Sequence, residues 1–179
     1  MFEQGAAISR ASGRPETYVA KERSVQEKLF ALARQAPDSA AAVNGVRGVF
    51  RAEGLDSATV AAQLPSSAAF VRSRWFRFFL DYDPRPALRG LKCPVLALNG
   101  SLDTQVPSKQ NLPEIDSALR AAGNHDFETR ELPRLNHLFQ TATTGSPGEY
   151  STIEETFSPV ALTAMREWIV KHELPGARE

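Results

Sequence analysis

The sequence is poor in the residues that announce covalent cross-links and metal sites. It has one cysteine, Cys93, which excludes an intramolecular disulfide and a cysteine-based zinc site. That thiol precedes the apolar run Pro94-Val95-Leu96-Ala97-Leu98 and is expected to be buried and structural. The three histidines, His125, His137 and His172, are scattered without His-x-x-x-His spacing, so no metal is expected. Excess charge of either sign is missing too, since 21 Lys and Arg balance 21 Asp and Glu. Chains that grip phosphates carry a basic excess, so neither nucleic acid nor an anionic membrane is expected as a partner. No apolar stretch approaches the ~18–20 residues that a membrane span needs. The opening MFEQGAAISR has no apolar signal core.

What is present is an ordinary globular composition, 42% hydrophobic and 23% charged over 179 residues, enough for one domain with a sizeable core. The chain divides in two. Residues 1–90 are rich in Ala, Arg, Ser and Gln, without alternating β-branched runs, and read as helical. Tyr18 to Gln35 is a predicted helix with Pro15 near its first turn, Val25, Leu29 and Leu32 at helical spacing, and Pro37 as its stop. Ser39 to Glu53 is a weaker helical segment, and Ser57 to Gln63 a short one capped by Asp56. Ser66 to Leu80 shows the strongest periodicity, with Phe70, Val71, Trp75, Phe78 and Phe79 as an aromatic stripe expected to pack in the core. The prolines of Asp81 to Pro86 end it.

Residues 91–174 read as α/β, followed by a tail at 175–179. Pro94 to Leu98 suits a strand buried on both faces. Asn111 to Ala122 is a predicted helix with Asn111 as N-cap and Gly123 as its stop, and Phe127 to Leu132 is a second strand. Strand, helix, strand predicts a parallel pair. Ser158-Pro159 opens a last helix with Val160, Leu162, Met165, Trp168 and Ile169 to bury. Two strands make an unfinished sheet with open edges.

Two residues stand where chemistry gathers in such a unit. Asp103 follows Leu98 by five residues and His137 follows Leu132 by five. In a parallel sheet, groups just past the carboxyl ends of strands converge on one crevice. A carboxylate there would hold the histidine Nδ1–H and stabilise the imidazolium formed when Nε2 takes a proton. Taken alone, Asp103 reads better as a turn aspartate capping the loop after a strand. Ser101 and Thr104 are candidates for orienting it by hydrogen bonds.

Pro94, Val95, Leu96, Gly100, Asp103, Val106 and Pro107, followed by Leu132, Pro133, Asn136 and His137, resemble the acid and histidine turns of the α/β-hydrolase family. The likeness is to its bacterial serine esterase and aminopeptidase-like branch, and runs from Cys93 to Lys171, including Phe139-Gln140-Thr141-Ala142 and Phe157-Ser158-Pro159. It implies the last part of an α/β-hydrolase fold, with residues 1–90 as the inserted helical cap. It also implies Asp103 as triad acid, His137 as triad base, and no cofactor. The family's Gly-x-Ser-x-Gly elbow and His-Gly-Gly oxyanion loop do not occur in this sequence; Gly145-Ser146-Pro147-Gly148 has the wrong spacing. The expectation is therefore a C-terminal portion of a serine hydrolase acting on carboxylic esters, or secondarily on peptides, inactive by itself.

Within that resemblance Trp75, Phe78 and Phe79 are candidate walls of an apolar substrate pocket, as an alternative to core packing. Arg72, Arg74 and Arg77 are expected on a solvated helix face, and His125 and His172 as structural or solvated. Relatives of the branch are often exported, and the compartment is otherwise not indicated. A second expectation is a non-catalytic piece that pairs with another copy, or with a missing N-terminal half, through exposed strand edges. A third is a self-contained α/β protein, which would need strands within residues 1–90.

Overall fold

A computed structural model describes residues 2–36 and 38–172, and it is mostly helical with a small two-stranded parallel sheet flanked by helices. Pro37, expected to stop the second helix, and the tail at 175–179 lie outside the described residues.

The first half is helix on helix: α1 (Phe2–Ala11), α2 (Glu16–Gln35), α3 (Ser39–Ala52), α4 (Ser57–Arg72) and α5 (Arg74–Asp81). No strand forms among the described residues before Val95. α1 was not foreseen, because its short Ala- and Gly-containing stretch gains helical order mainly by packing: Phe2 stacks on Phe30 of α2 with centroids 5.0 Å apart. The starts of α3 and α4 follow local chemistry, with Asp38 accepting from the Ala41 N–H at 2.8 Å and Asp56 from the Thr59 N–H at 2.9 Å. Their inner faces meet α2 in a core of Phe30, Ala33, Val46, Phe50, Val60 and Val71.

The segment 57–80 departs from expectation. α4 runs unbroken through Leu64-Pro65, and the chain breaks instead at Ser73. Pro65 costs the helix one hydrogen bond, yet Val60, Ala68 and Val71 lie on one buried face and hold the helix together across it. At Ser73 the backbone turns extended (φ −61°, ψ 122°), and its hydroxyl accepts from the Phe76 N–H at 3.2 Å to start α5. The bend rotates the aromatic stripe. Phe76, outside the predicted stripe, is completely buried, whereas Trp75 is 65% and Phe78 64% exposed, with Phe70 and Phe79 exposed to a lesser degree. Arg77 is not simply solvated either, since its guanidinium donates to the Ala36 carbonyl at 3.0 Å and covers the end of α2.

The second half comprises α6 (Arg85–Arg89), β1 (Val95–Gly100), α7 (Ser108–Ala121), β2 (Phe127–Leu132), a 3-10 helix (Pro147–Thr152) and α8 (Pro159–Lys171). β1 and β2 pair in parallel, Val95 opposite Phe127 through Gly100 opposite Leu132, with α7 as the crossover. α7 begins a turn before Asn111, whose amide donates back to the Pro107 carbonyl at 2.9 Å instead of capping. Gly123, at φ +68°, supplies the left-handed residue that ends it.

Burial is shallower than the apolar runs suggested. Val95 to Leu98 are only half buried, because a two-stranded sheet has too few neighbours to cover both faces. Cys93 is exposed rather than buried for the same reason. α8 approaches the sheet with Ala161 and Ala164, leaving Val160, Leu162 and Ile169 exposed. Its small core gathers Leu132, Leu135 and Ala161 with Leu98, Phe139, Phe157 and Met165. His125 is exposed, while His172 caps α8 and meets Asp126 at 2.8 Å. Among the described residues no helix is long and apolar enough to cross a membrane.

The bend at Ser73 makes a quantitative distinction between neighbours. Phe76→Ala is expected to lower unfolding free energy by ~3–5 kcal/mol, and Trp75→Ala to change it by no more than ~0.5 kcal/mol. Urea denaturation followed by circular dichroism measures both.

Candidate functional site

The site is built where β1 and β2 end. Gly100 is obligatory there: a Cβ on it would lie 2.1 Å from the Leu135 carbonyl oxygen, so only glycine lets the two post-strand turns cross. Their backbones bond directly, the Ser101 N–H to the Leu132 carbonyl at 2.8 Å and the Leu102 N–H to the Leu135 carbonyl at 2.9 Å. The acid turn then closes on itself as the Asp103 N–H donates to the Gly100 carbonyl at 3.1 Å.

The Asp103 side chain, 5% exposed, has its oxygens fully committed. Oδ1 accepts from the Gln105 N–H at 2.9 Å and the Val106 N–H at 2.8 Å. Oδ2 accepts from the Asn99 amide at 3.2 Å and meets His137 Nδ1 at 3.0 Å. An ionised carboxylate is an acceptor only, which matches a surround of donors. Facing it, Nδ1 must bear the ring proton, leaving the Nε2 lone pair free. Nε2 has no hydrogen-bond partner among the described residues, and the side chain as a whole is 36% exposed.

The histidine turn has an unusual backbone. Arg134 (φ 62°) and Phe139 (φ 56°) bracket His137 in the left-handed region, which costs bulky residues energy that the surroundings must supply. Arg134 is held by its N–H donating to Ser101 Oγ at 2.8 Å. Phe139 is held by stacking on Phe157 at 5.3 Å and by the Ser158 N–H donating to its carbonyl at 2.8 Å.

Asp103 and His137 are thus brought together. Ser101 and Thr104 do not orient the carboxylate: the Ser101 hydroxyl serves Arg134, and the Thr104 hydroxyl donates to the Gly145 carbonyl at 2.9 Å. The residue that does is Asn99, the first residue past the expected strand. Its signal was a polar amide closing an apolar strand, and its Nδ2 also donates to the Val106 carbonyl at 2.9 Å. Of the candidate pocket residues, Phe79 lines a hollow of about 140 Å³ with Gln105, Val106 and Pro107 beside the acid turn. Trp75 reaches it only by stacking on Phe79 at 5.2 Å, and Phe78 pairs elsewhere, with Tyr82. A hollow of about 470 Å³ separates α1 from the acid turn, with Arg10, Asp103, Ser108 and Lys109 in its walls. No group of three or more His, Cys, Asp or Glu side chains suited to a metal occurs among the described residues.

The loop around Gly145 braces the acid turn from behind. A Cβ on Gly145 would lie 2.0 Å from the Leu102 carbonyl oxygen, and its φ is +75°. Glu149 gathers this loop, accepting from the Thr144 hydroxyl at 2.7 Å and from the Thr144 and Gly145 N–H groups at 2.9 and 3.2 Å. The Thr144 hydroxyl, chiefly, holds the Glu149 carboxyl below the ordinary glutamate value; desolvation opposes this, and the loop N–H groups add to the lowering.

A carboxyl whose pKa is lowered on folding stabilises the fold above its unfolded value and loses that contribution as pH falls through the folded value. Glu149→Gln should therefore be less stable than the parent chain at neutral pH, with the difference shrinking as pH drops below the ordinary glutamate pKa of 4.5. Denaturant titrations at a series of pH values measure the convergence. Compared with protein-family models, curated proteins and solved structures, the chain has no match.

Proposed function

We propose that this chain carries the general base and the supporting acid of a serine hydrolase, acting on carboxylic esters and secondarily on peptide bonds by acyl transfer. The supporting observation is the buried Asp103 carboxylate on His137 Nδ1 at 3.0 Å, with Nε2 left open. In this reading Nε2 takes the proton of a nucleophilic serine hydroxyl as its oxygen attacks the substrate carbonyl. The imidazolium, stabilised by Asp103, then protonates the departing alkoxide or amine. Water repeats the cycle on the acyl-enzyme. The serine and the donors for the oxyanion come from outside this sequence, which holds no Gly-x-Ser-x-Gly. β1 and β2 are then the last strands of an α/β-hydrolase sheet, α1 to α5 its cap, and Phe79 part of an apolar wall beside the acid turn.

Asp103→Asn tests the pairing. An asparagine that donates to Nδ1 drives the ring proton to Nε2, so the nitrogen-15 shifts of His137 should exchange from the Nδ1–H to the Nε2–H pattern. An unchanged histidine spectrum would sink this reading. A fluorophosphonate probe should leave the chain unlabelled and p-nitrophenyl esters should give no burst. A burst lost in His137→Ala would place a nucleophile within these residues.

The open sheet favours a second reading, in which the chain is a non-catalytic module that associates with another copy. Val160, Leu162 and Ile169 on α8 and the half-buried strands offer apolar surface and free backbone groups. Light scattering behind size-exclusion chromatography should then show a concentration-dependent dimer, and a monomer throughout would count against it.

A further inference from the structure

Asn136 stands immediately before His137, is completely buried, and is engaged at every polar atom within its own turn. Its Oδ1 accepts from the Leu138 and Gln140 N–H groups, each at 2.9 Å. Its Nδ2 donates to Gln140 Oε1 at 3.0 Å. Its N–H donates to the Gln140 carbonyl at 2.9 Å, and its carbonyl accepts from the Phe139 N–H at 3.1 Å. The ring of bonds closes around three residues, 137 to 139, with His137 first and left-handed Phe139 last.

These bonds determine one another. With two backbone N–H groups on Oδ1, the amide must point Nδ2 at Gln140, and Gln140 must present oxygen in return. A bulky residue at positive φ persists only where its surroundings over-determine the backbone; Phe157 and the Ser158 N–H hold Phe139 from outside the turn, and this pair of buried amides holds it from within. The bond to Asp103 tethers the ring but does not set the backbone that brings it there.

We propose that Asn136 and Gln140 are positioning residues for the general base: their amide interlock holds the left-handed turn that delivers the His137 ring to Asp103. The inference rests on His137 acting as that base. It distinguishes two kinds of replacement. Asn136→Leu removes acceptor and donor together and frees the turn. Asn136→Asp keeps the acceptor for both N–H groups, while Gln140 turns its amide to donate, so the interlock is restored. Gln140→Leu removes one bond and Gln140→Glu keeps it.

The experiment is solution NMR of the full chain, reading the His137 Nδ1–H resonance, its solvent exchange, and the ring tautomer, alongside denaturation of each variant. In Asn136→Leu and Gln140→Leu the ring N–H should exchange roughly tenfold faster or more, the factor for losing about one net hydrogen bond. Asn136→Asp and Gln140→Glu should keep the parent signal. A folded Asn136→Leu or Gln140→Leu that loses stability but keeps the parent exchange rate and tautomer overturns the proposal, leaving the amides a structural role only. Should Asn136→Leu fail to fold, Gln140→Leu carries the same decision. A parent chain with no protected Nδ1–H overturns the dyad itself, and this inference with it, which separates that failure from the previous one.

Discussion

The two turns that hold Asp103 and His137 cross with backbone against backbone. Gly100 sits under the Leu135 carbonyl where no Cβ fits, and this close approach sets how far apart Asp103 and His137 lie. Parallel pairing puts the ends of β1 and β2 side by side, and the Ser101 and Leu102 N–H bonds to Leu132 and Leu135 extend that pairing past the strands. A side chain at position 100 would wedge the turns apart by more than a hydrogen bond can stretch. Placement of the dyad is thus a property of the main chain first and of the side chains second.

Around that crossing the polar groups are satisfied in layers. Asp103 is surrounded by N–H donors, which occupy both of its carboxylate oxygens. Asn99, at the end of β1, and Asn136, within the histidine turn, each use a side-chain amide to fasten the loop around them. Behind the acid turn, Thr104, Gly145 and Glu149 form a third layer reaching the surface. Buried amides and a shielded carboxylate are costly unless every partner is present, and here they are.

Much of this half is legible in the sequence because its signals are local and mutually consistent. Phe127 to Leu132 is bounded by a turn and by Pro133, Ser158-Pro159 is a helix start on sight, and five-residue offsets place Asp103 and His137 past their strands. The helical half is less legible. Pro65 carries the strongest local breaking signal, but the buried face of Val60, Ala68 and Val71 overrules it. Ser73, where the chain bends, sits within an uninterrupted aromatic period, so Phe76 could not be told from Trp75 as the core residue. The roles of Asn99 and of the paired amides of the histidine turn were less legible for another reason: many of their partners are backbone groups, which leave no mark on residue type. Burial failed similarly at Cys93 and along α8, where apolar character indicates a wish for cover that two strands cannot supply.

The parallel βαβ connection has an evolutionary consequence. Asp103, His137, Gly100 and the amides of Asn99, Asn136 and Gln140 lie in one continuous stretch, from Val95 to Gln140, around a single crossover helix. Such a stretch can be inherited, duplicated or exchanged by recombination without separating any member of the set. Descent can therefore carry this whole arrangement as one unit while the sequence around it is swapped, remodelled or lost.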